Sequence, residues 1–164
     1  MPTVQFNIPA DHKYLSVLGT TLATFMEQVG DEMLAYTVQL AIHEVCTNVI
    51  DHAYGAPAPE QNIQVTLLWD ERIQKLVAEI IDEGRSFDPL QHEWPLPMVW
   101  QALTTANGPA YRLESVAEPG LEQERGRGIF MIRQLMDEVL YLPQNGYNVW
   151  RLTRQLGRAP HQEE

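Results

Sequence analysis

Residues 37–55 read TVQLAIHEVCTNVIDHAYG, and this stretch carries the pattern from which the rest of the chain can be interpreted. Val38, Ile42 and Val45 recur every three or four positions, which predicts a helix with one apolar stripe. Glu44 and Asn48 lie on an adjoining stripe, because residues four apart are neighbours on a helix. Their oxygens suit Mg²⁺, which prefers oxygen ligands and usually keeps several waters beside substrate phosphates. The same spacing is typical of a solvated helix face, so the stretch alone leaves both interpretations open.

The composition indicates one globular domain, since 164 residues can bury a sizeable core. The net charge of −11 argues against nucleic acid and against an anionic membrane as partners, because both attract clustered cations. No apolar run is long enough to span a bilayer, and no secretory signal pattern opens the chain. The single cysteine, Cys46, is expected to be an inert half-buried thiol in a reducing cytoplasm. Neither lysine follows a glycine-rich loop, which excludes a P-loop site.

Alternating and helical patterns then predict the elements in chain order. A strand is followed by two helices, which Asp11 and Asp31 can cap and which Gly30 separates. After the long loop discussed below come a third helix and a closing hairpin with Asn145-Gly146 at its turn. The predicted strands cover Thr3 to Ile8, Ile63 to Trp69, Leu76 to Ile81, Glu138 to Leu142 and Tyr147 to Leu156. Five strands and three helices favour an α+β layer, with helices on one face of a mainly antiparallel sheet.

The segment from Phe87 to Gln123 differs from the rest because it contains five prolines and Asn107-Gly108. A loop of this length is uncommon in a compact domain unless it is functional or mobile. The pattern also admits a short helix around Met98 to Thr105. We therefore predict a long functional loop at this position.

Two further motifs are candidates for ligand contacts. Asp82 ends a predicted strand and could accept a hydrogen bond from an exocyclic amine such as that of adenine. Gly84 beside it would permit close approach of a base or of backbone. Gly126-Arg127-Gly128 opens the third helix, where backbone N–H groups and the helix dipole favour an anion such as phosphate. Each motif alone is also typical of an ordinary turn or loop end.

Taken together, these motifs resemble those of a known family. EVCTNVIDHAYG resembles the N-box of the GHKL ATPases, IIDEGRSFDP their G1 box and ERGRGIFMIRQLMDEV their G2 box. The resemblance covers roughly Val4 to Leu156 and is strongest to the stand-alone anti-sigma factor serine kinases of the RsbW and SpoIIAB type. It implies the Bergerat fold, an α/β sandwich in which helices cover one face of a mixed, mainly antiparallel sheet. It also implies one kinase domain over residues 1–157, with a polar tail at 158–164.

The resemblance assigns roles to the residues that match its motifs. The catalytic base would be Glu44, and the Mg²⁺-ligating asparagine would be Asn48. The family's ATP-binding positions fall on the following residues: Asn48, Asp82, Gly84, Gly126, Arg127 and Gly128. Residues of about 85–125 would form a lid over the nucleotide.

The chain departs from the family pattern in three places. Ser86, or with a shift Phe87, stands where a second G1 glycine is usual, and Tyr147 stands where a threonine often precedes the last strand. The lid is also longer than expected and contains Trp94, Trp100 and Tyr111. These aromatics would form either a partner surface or a small core of the lid itself, and we favour the core.

The resemblance implies an Mg-ATP-dependent serine/threonine kinase that phosphorylates an anti-anti-sigma protein of the STAS type and can hold a sigma factor inactive. Homodimers are common in that family. The alternative is a binding module in which nucleotide only shapes the lid and the output is sequestration of a partner. A histidine-kinase fragment is disfavoured because His43 and His52 lie within the nucleotide-site helix. A gyrase-like ATPase is disfavoured because no transducer segment is visible.

Overall fold

The computed structural model describes residues 2–29 and 31–156 of the chain. The helix stop predicted at Gly30 and the tail predicted at 158–164 lie outside these residues. Among the residues described, none of the helices combines the length and the apolar character needed to cross a bilayer.

In the described part of the chain, seven strands form one antiparallel sheet. The strands are β1 (Thr3–Ala10), β2 (Ala58–Asp70), β3 (Lys75–Asp82), β4 (Met98–Thr105), β5 (Gly108–Val116), β6 (Glu138–Pro143) and β7 (Asn148–Gln155). Their spatial order is β1-β2-β3-β7-β6-β5-β4, and every neighbouring pair is antiparallel. The central pair is β3 with β7, and its register sets Asp82 directly opposite Asn148.

Three α-helices lie against one face of this sheet. They are α1 (Leu15–Glu27), α2 (Glu32–Asn48) and α3 (Arg127–Leu135). Alternate residues of β3 are buried while those between them are partly exposed, which is the period expected for a sheet covered on one face. The predicted α+β layer is therefore confirmed.

Helix α2 begins where the sequence indicates and changes its geometry at the other end. Asp31 caps it as predicted, because its Oδ1 accepts a hydrogen bond from the Leu34 N–H at 2.9 Å. Beyond Asn48 the chain continues as a π-helix over Val49–Ala53. Such turns are rare and frequently occur at functional sites. The wider turn leads the backbone from Asn48 toward the end of β3.

The predicted strand count was too low, and the helix around Met98 to Thr105 was wrong. That segment is β4, and it pairs with β5 across a turn at Ala106 and Asn107. Apolar residues in the segment have a spacing compatible with a helix, but it is rich in β-branched and aromatic residues, which favour a strand. Gly108 follows the turn with φ of 108°, a conformation that glycine adopts without strain.

The aromatic residues of this segment belong to the main core. Trp100 is buried in the same cluster as Leu113 and Trp150, and its ring stacks on Trp94 with centroids 5.6 Å apart. The hairpin β4–β5 is thus part of the sheet. Of the lid predicted at 85–125, the two flanks of the hairpin, 85–97 and 117–125, and its turn at 106–107 lie outside strands.

Candidate functional site

A cavity of about 660 Å³ opens where the end of α2, the end of β3 and the start of α3 meet. It lies next to the aromatic side chains of β6 and β7 and to the segment that follows β3. Its lining residues are Asn48, Val49, His52, Ala53, Asp82, Arg85, Ser86, Phe87, His92, Glu93, Trp94, Pro95, Arg125, Gly126, Gly128, Ile129, Tyr141, Asn148 and Trp150. Four of the predicted site residues, from all three motifs, therefore border one cavity: Asn48, Asp82, Gly126 and Gly128.

Asp82 is the most deeply buried acid of this cavity, with 1% of its surface exposed. Its Oδ1 accepts hydrogen bonds from the Asn148 side chain at 3.0 Å and from the Gly84 N–H at 2.9 Å. Its Oδ2 has no hydrogen-bond partner among the described residues. Burial raises the pKa of Asp82, and the bonds from Asn148 and Gly84 oppose that rise. A buried acceptor without a partner is costly, so this atom is suited to a ligand that brings a donor.

Gly84 permits a close approach between two backbones. A Cβ at this position would stand 2.7 Å from the carbonyl carbon of Ala53, well inside contact distance. The next residue, Arg85, donates its N–H to the Ala53 carbonyl at 2.9 Å. The glycine therefore lets the end of β3 pack against the π-helix that follows α2. This packing fixes the positions of Asp82 and Asn48 relative to each other.

Asn148 is a site residue that the sequence analysis missed. It begins β7, faces Asp82 and is 1% exposed. Tyr147, the neighbouring departure from the family pattern, is 43% exposed and does not line the cavity. The period-2 alternation of a strand places neighbours on opposite faces, so an exposed Tyr147 could have indicated an inward Asn148.

The departure at Ser86 also has a structural role. The Ser86 hydroxyl donates to Asn148 Oδ1 at 2.6 Å, and the Tyr141 hydroxyl donates to the same oxygen at 3.2 Å. A glycine could not supply this bond. The serine therefore stabilises the same cluster that holds Asp82.

The start of α3 is open toward a ligand. Gly126 has φ of 87°, and no side chain of the described residues caps the helix there. The first N–H groups of a helix have no partner within it, so they are available to an anion. The N–H groups at Arg127 and Gly128 are therefore suited to phosphate oxygens.

Glu44 and Asn48 border the same helix start. A Cβ on Gly128 would stand 2.7 Å from Glu44 Oε2 and 3.7 Å from Asn48 Oδ1. Both side chains are half-buried. Among residues 2–29 and 31–156 no group of three or more His, Cys, Asp or Glu could hold a metal ion. The oxygen donors here fit only an ion that keeps other ligands, as Mg²⁺ does with water and phosphate.

Residues 8–154 match the histidine kinase-like ATPase domain family. The chain belongs to this family. The fold implied by the resemblance, a GHKL-type ATPase domain, is confirmed by this match together with the sheet and helices described above.

Several relatives of this ATPase domain carry the same name. The serine-protein kinase RsbW of Bacillus pumilus (strain SAFR-032) is 29% identical over 160 residues, which cover 94% of this chain and 86% of the relative. RsbW of Bacillus subtilis (strain 168) is 27% identical over 152 residues, with 89% and 81% covered. The resemblance to RsbW-type proteins inferred from the motifs is therefore confirmed.

A solved structure shows the same fold. It is the crystal structure of the RsbU and RsbW domains of Rv1364c from Mycobacterium tuberculosis, with a TM-score of 0.60 and 16% identity. The match covers 98% of this ATPase domain and 34% of that chain, so the domain spans about a third of its length.

Arg127 lies in the predicted ATP-binding motif, but its side chain points to the preceding loop of the ATPase domain. Its guanidinium donates to the carbonyls of Gln123, Gly120 and Leu121 at 2.5, 2.7 and 3.3 Å. The side chain therefore shapes the segment before α3 and does not line the cavity.

Two other arginines border the cavity, and sequence reasoning did not select them. Arg85 lies beside the π-helix, where its Nη2 donates to the His52 carbonyl at 3.3 Å. Arg125 immediately precedes the glycines of α3. In a chain with 22 acidic and 11 basic residues, two arginines at one cavity indicate a place for an anion. Because acidic residues are in excess, arginines next to the predicted motifs could have been selected from the sequence as contacts for an anion.

Aromatic rings border the cavity on the side of β6 and β7. Phe87 stacks on Tyr141 with centroids 4.2 Å apart and an interplanar angle of 16°. Trp150 lies 5.0 Å from Tyr141, and Trp94 meets Phe87 edge-on at 5.5 Å. Such rings offer flat apolar surface to a planar base. Their convergence depends on the sheet order, which no local pattern in the sequence contains.

Proposed function

We propose that this ATPase domain is a serine/threonine protein kinase of the anti-sigma factor type, using Mg-ATP to phosphorylate a STAS-type anti-anti-sigma protein. The observation that carries the proposal is the unpartnered Oδ2 of buried Asp82 in a cavity that also borders the open start of α3. One end of such a cavity suits an amino-substituted base and the other suits phosphates. Relatives named serine-protein kinase RsbW support the assignment of the reaction.

ATP fits the residues present. Asp82 would accept a hydrogen bond from the exocyclic amine of adenine, and the rings of Phe87 and Trp94 border the space for the base. The N–H groups at Arg127 and Gly128 would hold phosphate oxygens. Arg125 would add a positive charge at the same end.

Mg²⁺ would be held by the side-chain oxygen of Asn48, by phosphate oxygens and by water. Bound there, the ion would neutralise charge on the phosphates during transfer. Glu44 lies one turn away and is suited to the role of general base. It would accept the proton of the substrate hydroxyl as that oxygen bonds to the γ-phosphorus and the bond to the ADP oxygen breaks.

The partner assignments belong to the same proposal. A STAS protein would be the phosphoryl acceptor, and a sigma factor would be the protein held inactive. The net charge of −11 is complementary to a partner with a basic face. We also propose a cytoplasmic location, which the single buried cysteine suits, and a homodimer as in the resembling family.

The test is phosphoryl transfer from Mg-ATP to a purified STAS protein of the same genome, followed by detection of phosphoserine or phosphothreonine. Glu44→Gln keeps the shape of the side chain and removes its basicity, so we expect the rate to fall by about a hundredfold or more with ATP still bound. Glu27→Gln, an exposed change at the end of α1, should leave the rate unchanged.

The alternative of a pure binding module makes the opposite prediction. Under it, wild type binds the STAS protein without phosphorylating it, and Glu44→Gln changes nothing. Transfer by wild type that is lost in Glu44→Gln excludes that alternative. A folded wild type that neither binds ATP nor modifies the partner overturns the kinase proposal.

A further inference from the structure

The side chain of Asn148, at the start of β7, takes part in five hydrogen bonds. Its Nδ2 donates to Asp82 Oδ1 at 3.0 Å, to the Gly84 carbonyl at 3.1 Å and to the Arg85 carbonyl at 3.4 Å. Its Oδ1 accepts from the hydroxyls of Ser86 and Tyr141. All these groups cluster around the buried end of the cavity.

The neighbours fix which way the amide points. On one side stand three acceptors, the Asp82 carboxylate and two carbonyls, which require the NH₂ group. On the other side stand two hydroxyls, and the Tyr141 hydroxyl also accepts the Phe87 N–H at 3.3 Å, so its own proton is directed at Asn148. The opposite orientation would set the amide oxygen against three acceptors.

This orientation decides what Asp82 offers to a ligand. Asn148 and Gly84 saturate Oδ1 with two donors, which leaves Oδ2 as the acceptor without a partner. The two donors also stabilise the ionised carboxylate against the effect of burial, which favours the protonated form. An ionised Asp82 accepts hydrogen bonds and cannot donate one.

We infer that Asn148 is a positioning residue that keeps Asp82 a pure acceptor and so makes the site select a base with an exocyclic amine over one with a carbonyl at the same place. The inference rests on the proposed function and deepens it. Ser86 and Tyr141 contribute to the same selectivity, because their hydroxyls help to hold the amide of Asn148 in the orientation that donates to Asp82.

The test compares the affinities of ATP and ITP, which differ at this ring position by an amine and a carbonyl. We expect wild type to prefer ATP by about a hundredfold, because a carbonyl facing a buried acceptor loses a hydrogen bond and is repelled. In Asn148→Leu the Asp82 carboxyl loses a donor and takes up a proton, which it can then donate to a carbonyl. The ATP-to-ITP ratio should fall at least about tenfold.

A merely structural role would weaken both nucleotides alike and leave the ratio unchanged, and that result would overturn the inference. Asn148→Thr keeps a short donor toward Asp82 and should retain most of the preference. Asn145→Leu makes the same chemical change in the exposed turn between β6 and β7 and should behave as wild type.

A second variant keeps the test decisive if Asn148→Leu does not fold. The double change Ser86→Ala with Tyr141→Phe leaves Asn148 in place and removes both hydroxyls that fix its amide. Asn148 Oδ1 then lacks both of its donors while three acceptors still hold its Nδ2, so the ratio should fall, but by less than in Asn148→Leu. A ratio equal to that of wild type would contradict the inference. A wild type that binds neither nucleotide overturns the proposed function itself, whereas a wild type that prefers ATP with unchanged variants overturns only the role of Asn148.

Discussion

Under the proposed function, the protonation state of a single residue, Asp82, would set the pH range in which the site binds a base. Burial raises the pKa of Asp82 above its ordinary value of 3.8. Because this folded pKa exceeds the unfolded one, ionisation of Asp82 costs folding free energy at neutral pH, and the cost disappears as the pH falls through the folded value. The same titration would remove the acceptor that the proposed function assigns to the base.

We therefore expect adenosine to bind more weakly as the pH falls from neutral to mildly acidic values. The decline should begin at a higher pH than an ordinary aspartate would give. Calorimetric titrations with adenosine test this, since that ligand has no phosphates to titrate. Asp82→Asn should bind weakly at every pH. An equally steep decline in Asp82→Asn would contradict the assignment.

A second residue-scale prediction concerns the contact between Gly128 and Glu44. In Gly128→Ala the new Cβ would stand 2.7 Å from Glu44 Oε2, so the carboxylate must move. We expect phosphoryl transfer to fall by about tenfold or more, since a general base must lie within hydrogen-bond reach of the proton it removes. Rates of transfer to the STAS protein measure this effect.

Gly120→Ala is the matched control for this change. A Cβ there meets nothing within 4 Å, so the same substitution in the segment before α3 should leave the rate as in wild type. Equal losses in the two variants would show that Glu44 is not the group affected.

At the scale of elements, the start of α3 and the segment before it are joined by the side chain of Arg127. In Arg127→Ala the carbonyls of Gly120, Leu121 and Gln123 lose the guanidinium as a donor, and the Gly120 carbonyl keeps only the Gln123 N–H. We expect a glutamate-specific protease to cut this segment several times faster than in wild type, because its glutamates then lie in a less ordered loop. Arg125→Ala, next to the glycines, is the natural comparison.

Arg125→Ala should show the reverse behaviour. Its side chain borders the cavity, so we expect ATP affinity to fall about tenfold and to become less dependent on salt, with proteolysis unchanged. If both variants change proteolysis and affinity in the same proportion, the two arginines do not have separate roles.

Comparison of the predicted with the observed helices and strands shows which elements local sequence patterns can predict. Helix α2 with Asp31 as its cap, and the hairpin β6–β7 with its Asn145-Gly146 turn, follow from local patterns and were predicted. The hairpin β4–β5 was missed, because its apolar residues become buried in the main core together with residues of α3, β6 and β7, which lie later in the chain. Asn148 was missed for a related reason, since its partners are brought together by the pairing of distant strands.

Across the whole molecule, neighbouring strands of the sheet differ in the number of residue pairs that connect them. Eight residue pairs connect β3 with β7, whereas two pairs, Tyr111 with Tyr141 and Arg112 with Leu140, connect β5 with β6. We expect the amides of β4 and β5 to exchange with solvent well before those of β3 and β7, because the hairpin can open while the central ladder stays formed. Native-state hydrogen exchange measures this order.

Uniform protection across all seven strands would contradict that expectation. Bound ATP should raise the protection of the central strands through mass action, and by more than the hairpin gains if the hairpin opens independently. Exchange with and without the nucleotide therefore separates local opening from global unfolding.

The burial of Cys46 has a practical consequence. Burial raises the pKa of its thiol to about 12, so almost no reactive thiolate exists at neutral pH. The thiol of the native protein should therefore not react with maleimide reagents until the protein unfolds. A cysteine introduced at the fully exposed Leu121 could then carry a single fluorophore or spin label without removal of the natural thiol. Cys46 would then not be labelled, and it would not interfere with spectroscopy of the segment beside the cavity.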